Sequence, residues 1–115
     1  MIEIIPVSNT EFLHILVRGQ VTNASAPQLE AGLVAALAGQ AAPRCILDLG
    51  GLAFLSSAGL RVLLTIAKRI RNAGGALVLC ETQPAVLTLL ELAGFTRILA
   101  VVPDLATARD RVLSA

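Results

Sequence analysis

The stretch Asp48-Leu49-Gly50-Gly51-Leu52-Ala53-Phe54-Leu55-Ser56-Ser57-Ala58-Gly59-Leu60-Arg61-Val62-Leu63-Leu64 joins two kinds of hydrophobic pattern. Before it, Cys45 to Leu49 is a short apolar run of the kind a buried strand requires; beyond it, Leu60 to Arg71 has helical spacing. The connection is expected to be a loop, and it is unusually apolar. Leu52, Phe54 and Leu55 are therefore expected to tuck against the core and hold Ser56 and Ser57 rigidly at the helix start. One use for a serine there is structural, since its oxygen can accept a hydrogen bond from the free amides of the first turn. A second use is chemical: those amides and the partial positive charge of the helix end favour an anion, including a phosphate carried on serine. Arg61 lies one turn beyond Ser57, placed to pair with such a phosphate or with a partner's carboxylate. Its plainer alternative is a place with Lys68 and Arg69 on the solvated face of an amphipathic helix.

Working outward, Ile2 to Val7 and Phe12 to Val17 are apolar runs separated by the turn formers Ser8-Asn9-Thr10, which predicts a hairpin. Ala26 to Ala38 carries Leu29, Leu33 and Leu37 at helical spacing, with Ser25 placed as its cap. On the other side, Gly74-Gly75 opens an apolar run from Ala76 to Cys80, Pro84 to Ala93 is helical and stopped by Gly94, Ile98 to Val102 is a strand, and Asp104 caps a last helix. The order is ββαβαβαβα over one domain, residues 1–115. Such alternation predicts an α/β fold with a largely parallel sheet and an antiparallel hairpin at its start.

Composition excludes several functions. Hydrophobic residues make up 56% and charged residues 15%, so the chain is expected to fold rather than remain disordered. A formal net charge of +1 creates no field to recruit nucleic acid, and without Trp or Tyr there are few platforms for stacked bases. No apolar run reaches the roughly 18 residues a membrane span needs, and the N-terminus lacks a signal-peptide pattern, so the expected location is the cytoplasm. There Cys45 and Cys80 should be reduced core residues. His14 is the only histidine, which rules out a multi-histidine metal site; it is expected to be an exposed or hydrogen-bonded strand residue. Asp48 and Glu81 lie at strand ends where solvation accounts for them, and Gly50-Gly51 belongs to neither nucleotide-binding glycine motif.

The central stretch resembles the signature of the STAS domain, the fold of bacterial anti-sigma factor antagonists: a strand ending in Asp/Asn-Leu, an apolar loop, then Asp-Ser-Ser/Thr-Gly-Leu. The similarity extends to Gly19 after the second strand, Leu29 in the first helix, Gly74-Gly75, and the run from Pro84-Ala85-Val86 through Leu90 to Gly94. It implies the STAS fold, with a mixed, mostly parallel five-stranded sheet and about four helices lying mostly on one side. By position Ser57 matches the serine that a partner kinase phosphorylates in that family, and Gly59-Leu60 match its Gly-Leu. Ser56 stands where Asp is common, Ala58 where Ser or Thr is common, and Thr22-Asn23 where an acidic residue often follows the second strand. The resemblance implies a non-enzymatic regulator that binds a kinase-fold anti-sigma factor in a partner-switching circuit and releases the sigma factor. Phosphorylation at Ser57 would switch it off and a separate serine phosphatase would restore it. The kinase supplies ATP, so no cofactor or metal is expected in this chain. The implied partner surface comprises Thr22, Asn23, Leu55, Ser56, Ser57, Ala58, Gly59 and Arg61. An alternative is a non-catalytic STAS scaffold subunit of a stress-signalling complex or of a lipid or anion transporter; a hydrolase using Ser57 as nucleophile would need a base that His14 is badly placed to be.

Overall fold

A computed structural model describes residues 2–114. Strands β1 (Ile2–Val7) and β2 (Leu13–Val21) form the antiparallel hairpin, held at its turn by Asn9 Oδ1, which accepts from the amides of Glu11 and Phe12 at 2.8 and 3.2 Å. Helix α1 (Ala26–Leu37) leads to β3 (Arg44–Leu55), α2 (Ser57–Asn72) to β4 (Ala76–Cys80), and α3 (Pro84–Leu92) with the single-turn α4 (Phe95–Ile98) to β5 (Ala100–Val101), before α5 (Leu105–Leu113). The strands lie in the order β1-β2-β3-β4-β5, and all pairs after the hairpin are parallel. Because each crossover moves one strand in the same direction with the same hand, α1, α2 and α3 all fall on one face. Helix α5 follows the last strand and packs on the opposite face, against β3 and β4.

Two cores result. The larger lies under α1 to α4 and takes Leu29, Leu33 and Leu37 of α1 and Leu63, Ile66 and Ile70 of α2, each spaced by one helical turn. Full burial of side chains this size stabilises the fold by roughly 1.5–3 kcal/mol each. The smaller core gathers Phe12, Ile46, Val78, Cys80, Ala108 and Val112 beneath α5. Between α2 and β4, Gly75 is required by close approach: a Cβ there would collide with the carbonyl of Pro43, which also accepts from Ala76 N at 2.9 Å.

The five-stranded mixed sheet and the element order agree with the sequence reading, and the differences are local. Strand β3 does not stop at Leu49 but runs to Leu55, and β2 runs on through Gly19 (φ +102°) to Val21, so the expected loop is strand. Two register shifts accommodate it: the step of three from Asp48 to Gly51 lies opposite a step of two from Leu16 to Arg18, and the step of two from Leu52 to Phe54 lies opposite a step of one from Gly19 to Gln20. Leu47, Leu49, Leu52 and Leu55 all reach the larger core because each bulge adds one residue to the usual spacing of two. Phe54 does not tuck in; it is 50% exposed. The last strand shortens to Ala100–Val101 because Gly94, at φ +77°, starts the extra turn of helix at Phe95. Ser25 precedes α1 without capping it, its Oγ instead accepting from Thr22 N at 2.8 Å. His14 is buried rather than exposed, and its Nε2 has no hydrogen-bond partner among the described residues; it lies beside Ile46 of β3 with the Phe12 ring 6.0 Å away.

Cys45 and Cys80 are free and buried, on opposite faces of the sheet. Burial pushes both thiols from 9.0 up to about 12, and for Cys80 the negative charges of Asp48, Glu81 and Asp104 add to the effect. Above pH 9 the unfolded chain therefore loses thiol protons that the folded chain keeps, so stability should fall as pH rises from 9 toward 12. Urea midpoints across that range check the slope, and double Cys→Ser or Cys→Ala replacement should flatten it. At pH 8 neither thiol should react with an aromatic disulfide reagent until the protein unfolds.

Candidate functional site

The carboxyl ends of β2 and β3 deliver the start of α2. Val21 pairs with Leu55, and the ladder extends one step further, Ser56 N donating to Val21 O at 2.8 Å. Ser56 is then extended (φ −76°, ψ 168°), and its side chain accepts from Gly59 N at 3.1 Å. That is the N-cap geometry, with the amide of the third helical residue satisfied by a serine oxygen. Close approach favours glycine at position 59: a Cβ would lie 2.6 Å from Leu55 Cδ1 and 2.7 Å from Val21 Cγ1, so both side chains would have to shift. The helix start therefore presses directly on the two strand ends.

Capping by Ser56 leaves Ser57 at the first helical position, exposed, its hydroxyl with no hydrogen-bond partner among the described residues. The first turn of α2 contains no acidic residue, and Arg69 and Arg71 stand in its last turn, where they complement the helix dipole. A hydroxyl held at such a positive, unencumbered end is chemically free, and a phosphate on it would meet favourable charge.

Of the residues expected at the site, Leu55 and Gly59 are buried supports, while Thr22, Asn23, Ser57 and Arg61 are exposed and Ser56 and Ala58 are partly buried. Thr22 and Ser25 lock the turn after β2, the Thr22 hydroxyl lying 3.3 Å from Ser25 Oγ and accepting from Ser25 N at 3.2 Å. Asn23, Ala58 and Arg61 meet along a groove of about 240 Å³ between α1 and α2. The same groove takes Pro27 and Glu30 from α1 and Thr65 from α2, which the sequence reading did not place there. Their convergence follows from the packing of two helices far apart in the chain and has no local signal. Glu30 puts a carboxylate beside a site that Thr22-Asn23 and Ser56 had left without one.

Other candidate chemistry is absorbed by structure. Asp48 Oδ1 accepts from Gly50 N at 2.9 Å, and Glu81 Oε2 accepts from Leu105 N, also at 2.9 Å. Among the described residues no three His, Cys, Asp or Glu side chains come together as a metal site, and no helix is long and apolar enough to cross a membrane.

Comparison with known proteins agrees with this geometry. The model of the STAS domain family matches residues 4–108. BtrV of Bordetella bronchiseptica, named provisionally as an anti-sigma factor antagonist, is 48% identical over 98 residues, which cover 85% of this chain and 80% of BtrV. The crystal structure of an anti-sigma factor antagonist from Mycobacterium paratuberculosis superposes with a TM-score of 0.86 at 24% identity, over 97% of this chain and 94% of the other. SpoIIAA has been solved unphosphorylated (TM-score 0.76, 20% identity, 98% of each chain) and, from Bacillus, phosphorylated (TM-score 0.67, 19% identity, 97% of this chain and 99% of the other).

The division of labour between the two serines is measurable. Ser56→Ala should cost about 1 kcal/mol of stability through loss of the cap, whereas Ser57→Ala should change it by no more than a few tenths, because an exposed N1 side chain bonds nothing here. Urea denaturation of the two variants separates them.

Proposed function

The chain belongs to the STAS domain family, and from that premise we propose that it is an anti-sigma factor antagonist, a cytoplasmic regulator acting as one domain over residues 1–115. In this reading the unmodified protein binds a kinase-fold anti-sigma factor, a serine kinase, and frees the sigma factor. Phosphorylation at Ser57 ends the interaction, and a serine phosphatase restores it. The chain is the substrate and ligand of its partners rather than an enzyme. The observation that carries this is the exposed, unbonded hydroxyl of Ser57 at the start of α2, beside a second serine already committed to the cap. The 48% identity to BtrV supports the class of function.

The physical basis of the switch is modest. A phosphate brings about −1.5 to −2 charges into a surface that otherwise presents a neutral hydroxyl, so desolvation and repulsion oppose docking. A penalty of about 3 kcal/mol suffices for a loss of affinity above a hundredfold. Folding tolerates the modification, because the helix end accepts an anion and the cap at Ser56 is not disturbed. Arg61, one turn along and exposed at the rim of the α1–α2 groove, is the cation nearest in sequence and is assigned to the partner surface with Thr22 and Asn23.

Titration calorimetry against a purified kinase-fold anti-sigma factor from the same organism tests the reading. Ser57→Ala should bind at least as tightly as the unmodified protein and Ser57→Asp about a hundredfold more weakly, while both stay folded. After incubation with the partner and ATP, mass spectrometry should place the phosphate on Ser57. A phosphate found only on Ser56, or equal affinities for the two variants, would overturn the proposal. A complex with other scaffold subunits and with no kinase-fold protein would instead identify the chain as a STAS scaffold.

A further inference from the structure

We infer that Phe54 is an aromatic anchor for the same partner, so that the docking surface extends from Ser57 over the end of the sheet onto the face that α5 leaves open. This rests on the reading of the chain as an anti-sigma factor antagonist and adds to it a residue and a second surface.

The second bulge of β3 decides where Phe54 points. Leu52 faces the larger core, and in a regular strand the residue two further on would face it too; the extra residue transfers that place to Leu55 and turns Phe54 outward. Phe54 lies opposite Gln20, and Gln20 shares its face of β2 with Leu16 and Arg18, away from α1 and α2. Helix α5 packs on β3 and β4 on that side, and while His14 near the start of β2 is buried, the carboxyl end of β2 is exposed. Arg18 and Gln20 are exposed there, and Phe54, opposite Gln20, is 50% exposed.

Nothing in the fold requires an outward phenylalanine. The other two, Phe12 and Phe95, are 8% and 6% exposed, as packing dictates. A half-exposed ring on a rigid, bulged strand end has little rotamer freedom left to lose and considerable apolar area to bury, the combination that concentrates binding energy at protein interfaces. Its surroundings are also fixed. The aliphatic stem of Arg18 lies against Gly51, where a Cβ would come within 2.5 Å of Arg18 Cγ, so the absence of a side chain at Gly51 leaves room for it. Arg18 lines a pocket on this face together with the chain's own carboxylates Asp48 and Glu81. The occupant that fits the ring is an aliphatic-lined pocket on the anti-sigma factor. Continuity with the Ser57 surface is direct, because Leu55 and Ser56 are tied to Val21 by the last rung of the ladder.

Phe54→Ala should lose at least tenfold in affinity for the same kinase-fold anti-sigma factor while melting within a few degrees of the parent. Leu92→Ala, at the far end of α3 and 82% exposed, should bind unchanged. Phe54→Trp should retain binding, and since the chain has no tryptophan of its own, its emission, corrected for that of the partner, should shift to the blue on complex formation. Parent-like affinity of Phe54→Ala, or an unshifted emission in the Phe54→Trp complex, overturns the anchor. Ser57→Asp separates the two ideas: if it weakens binding and Phe54→Ala does not, the switch stands and the anchor falls; if Phe54→Ala weakens binding and Ser57→Asp does not, the anchor stands and the switch falls.

Discussion

The pairing of β2 with the bulged end of β3 is the constraint on which the site depends. Buried backbone groups need hydrogen-bond partners, and a strand that ended at Leu49 would leave the six residues Gly50 to Leu55 to form a loop with unpaired backbone groups beneath the helices. By taking in two extra residues, β3 stays bonded to β2 as far as Val21 and still points Leu49, Leu52 and Leu55 inward. The rung from Ser56 N to Val21 O then fixes the first residue of the helix relative to the sheet. Ser57 is exposed because its neighbours are so thoroughly tied down. A floppy connection would expose a serine as well, but without a defined direction for the helix end behind it.

Most of the architecture was legible from the sequence because it is written in periodicities. The helices show in Leu29, Leu33 and Leu37 and in Leu63, Ile66 and Ile70, and the parallel strands show as short unbroken apolar runs such as Cys45 to Leu49 and Ala76 to Cys80. What was not legible is where a periodicity changes. The spacing of two from Leu47 to Leu49 becomes three to Leu52 and three again to Leu55, which matches neither a strand nor a helix template and suggests a loop. Only pairing with β2 makes sense of it. The outward Phe54 was misread for the same reason, since its direction is set by a bulge rather than by its own hydrophobicity.

The site itself was legible in part, and the division is again physical. Serines before a helical pattern announce a cap, but which serine takes the role depends on backbone angles at a single residue, and Ser56 has the extended ones. His14 illustrates the opposite limit. Its alternate position on β2 is plain from the sequence, but its burial comes from Phe12 and from the packing around Ile46, partners supplied by the turn and by another strand. The groove between α1 and α2 was invisible because Glu30 and Thr65 meet only through tertiary packing.

The replacement of the family's frequent aspartate by Ser56 has an electrostatic consequence. A carboxylate at the N-cap would satisfy the Gly59 amide with a full negative charge, next to the residue that takes the phosphate in this reading. Two anions on successive residues at one helix end would repel, and the gain from the dipole would be divided between them. With Ser56 the cap is neutral, the Gly59 amide is still bonded, and the remaining amides of the first turn face only what Ser57 carries. The nearby carboxylate of Glu30 stands instead across the groove, on α1, with Arg61 lining the same groove from α2. In this reading, the charge that a partner would meet stands not at the N-cap but on the groove wall. There it can contribute to selecting the partner without opposing the added phosphate at close range.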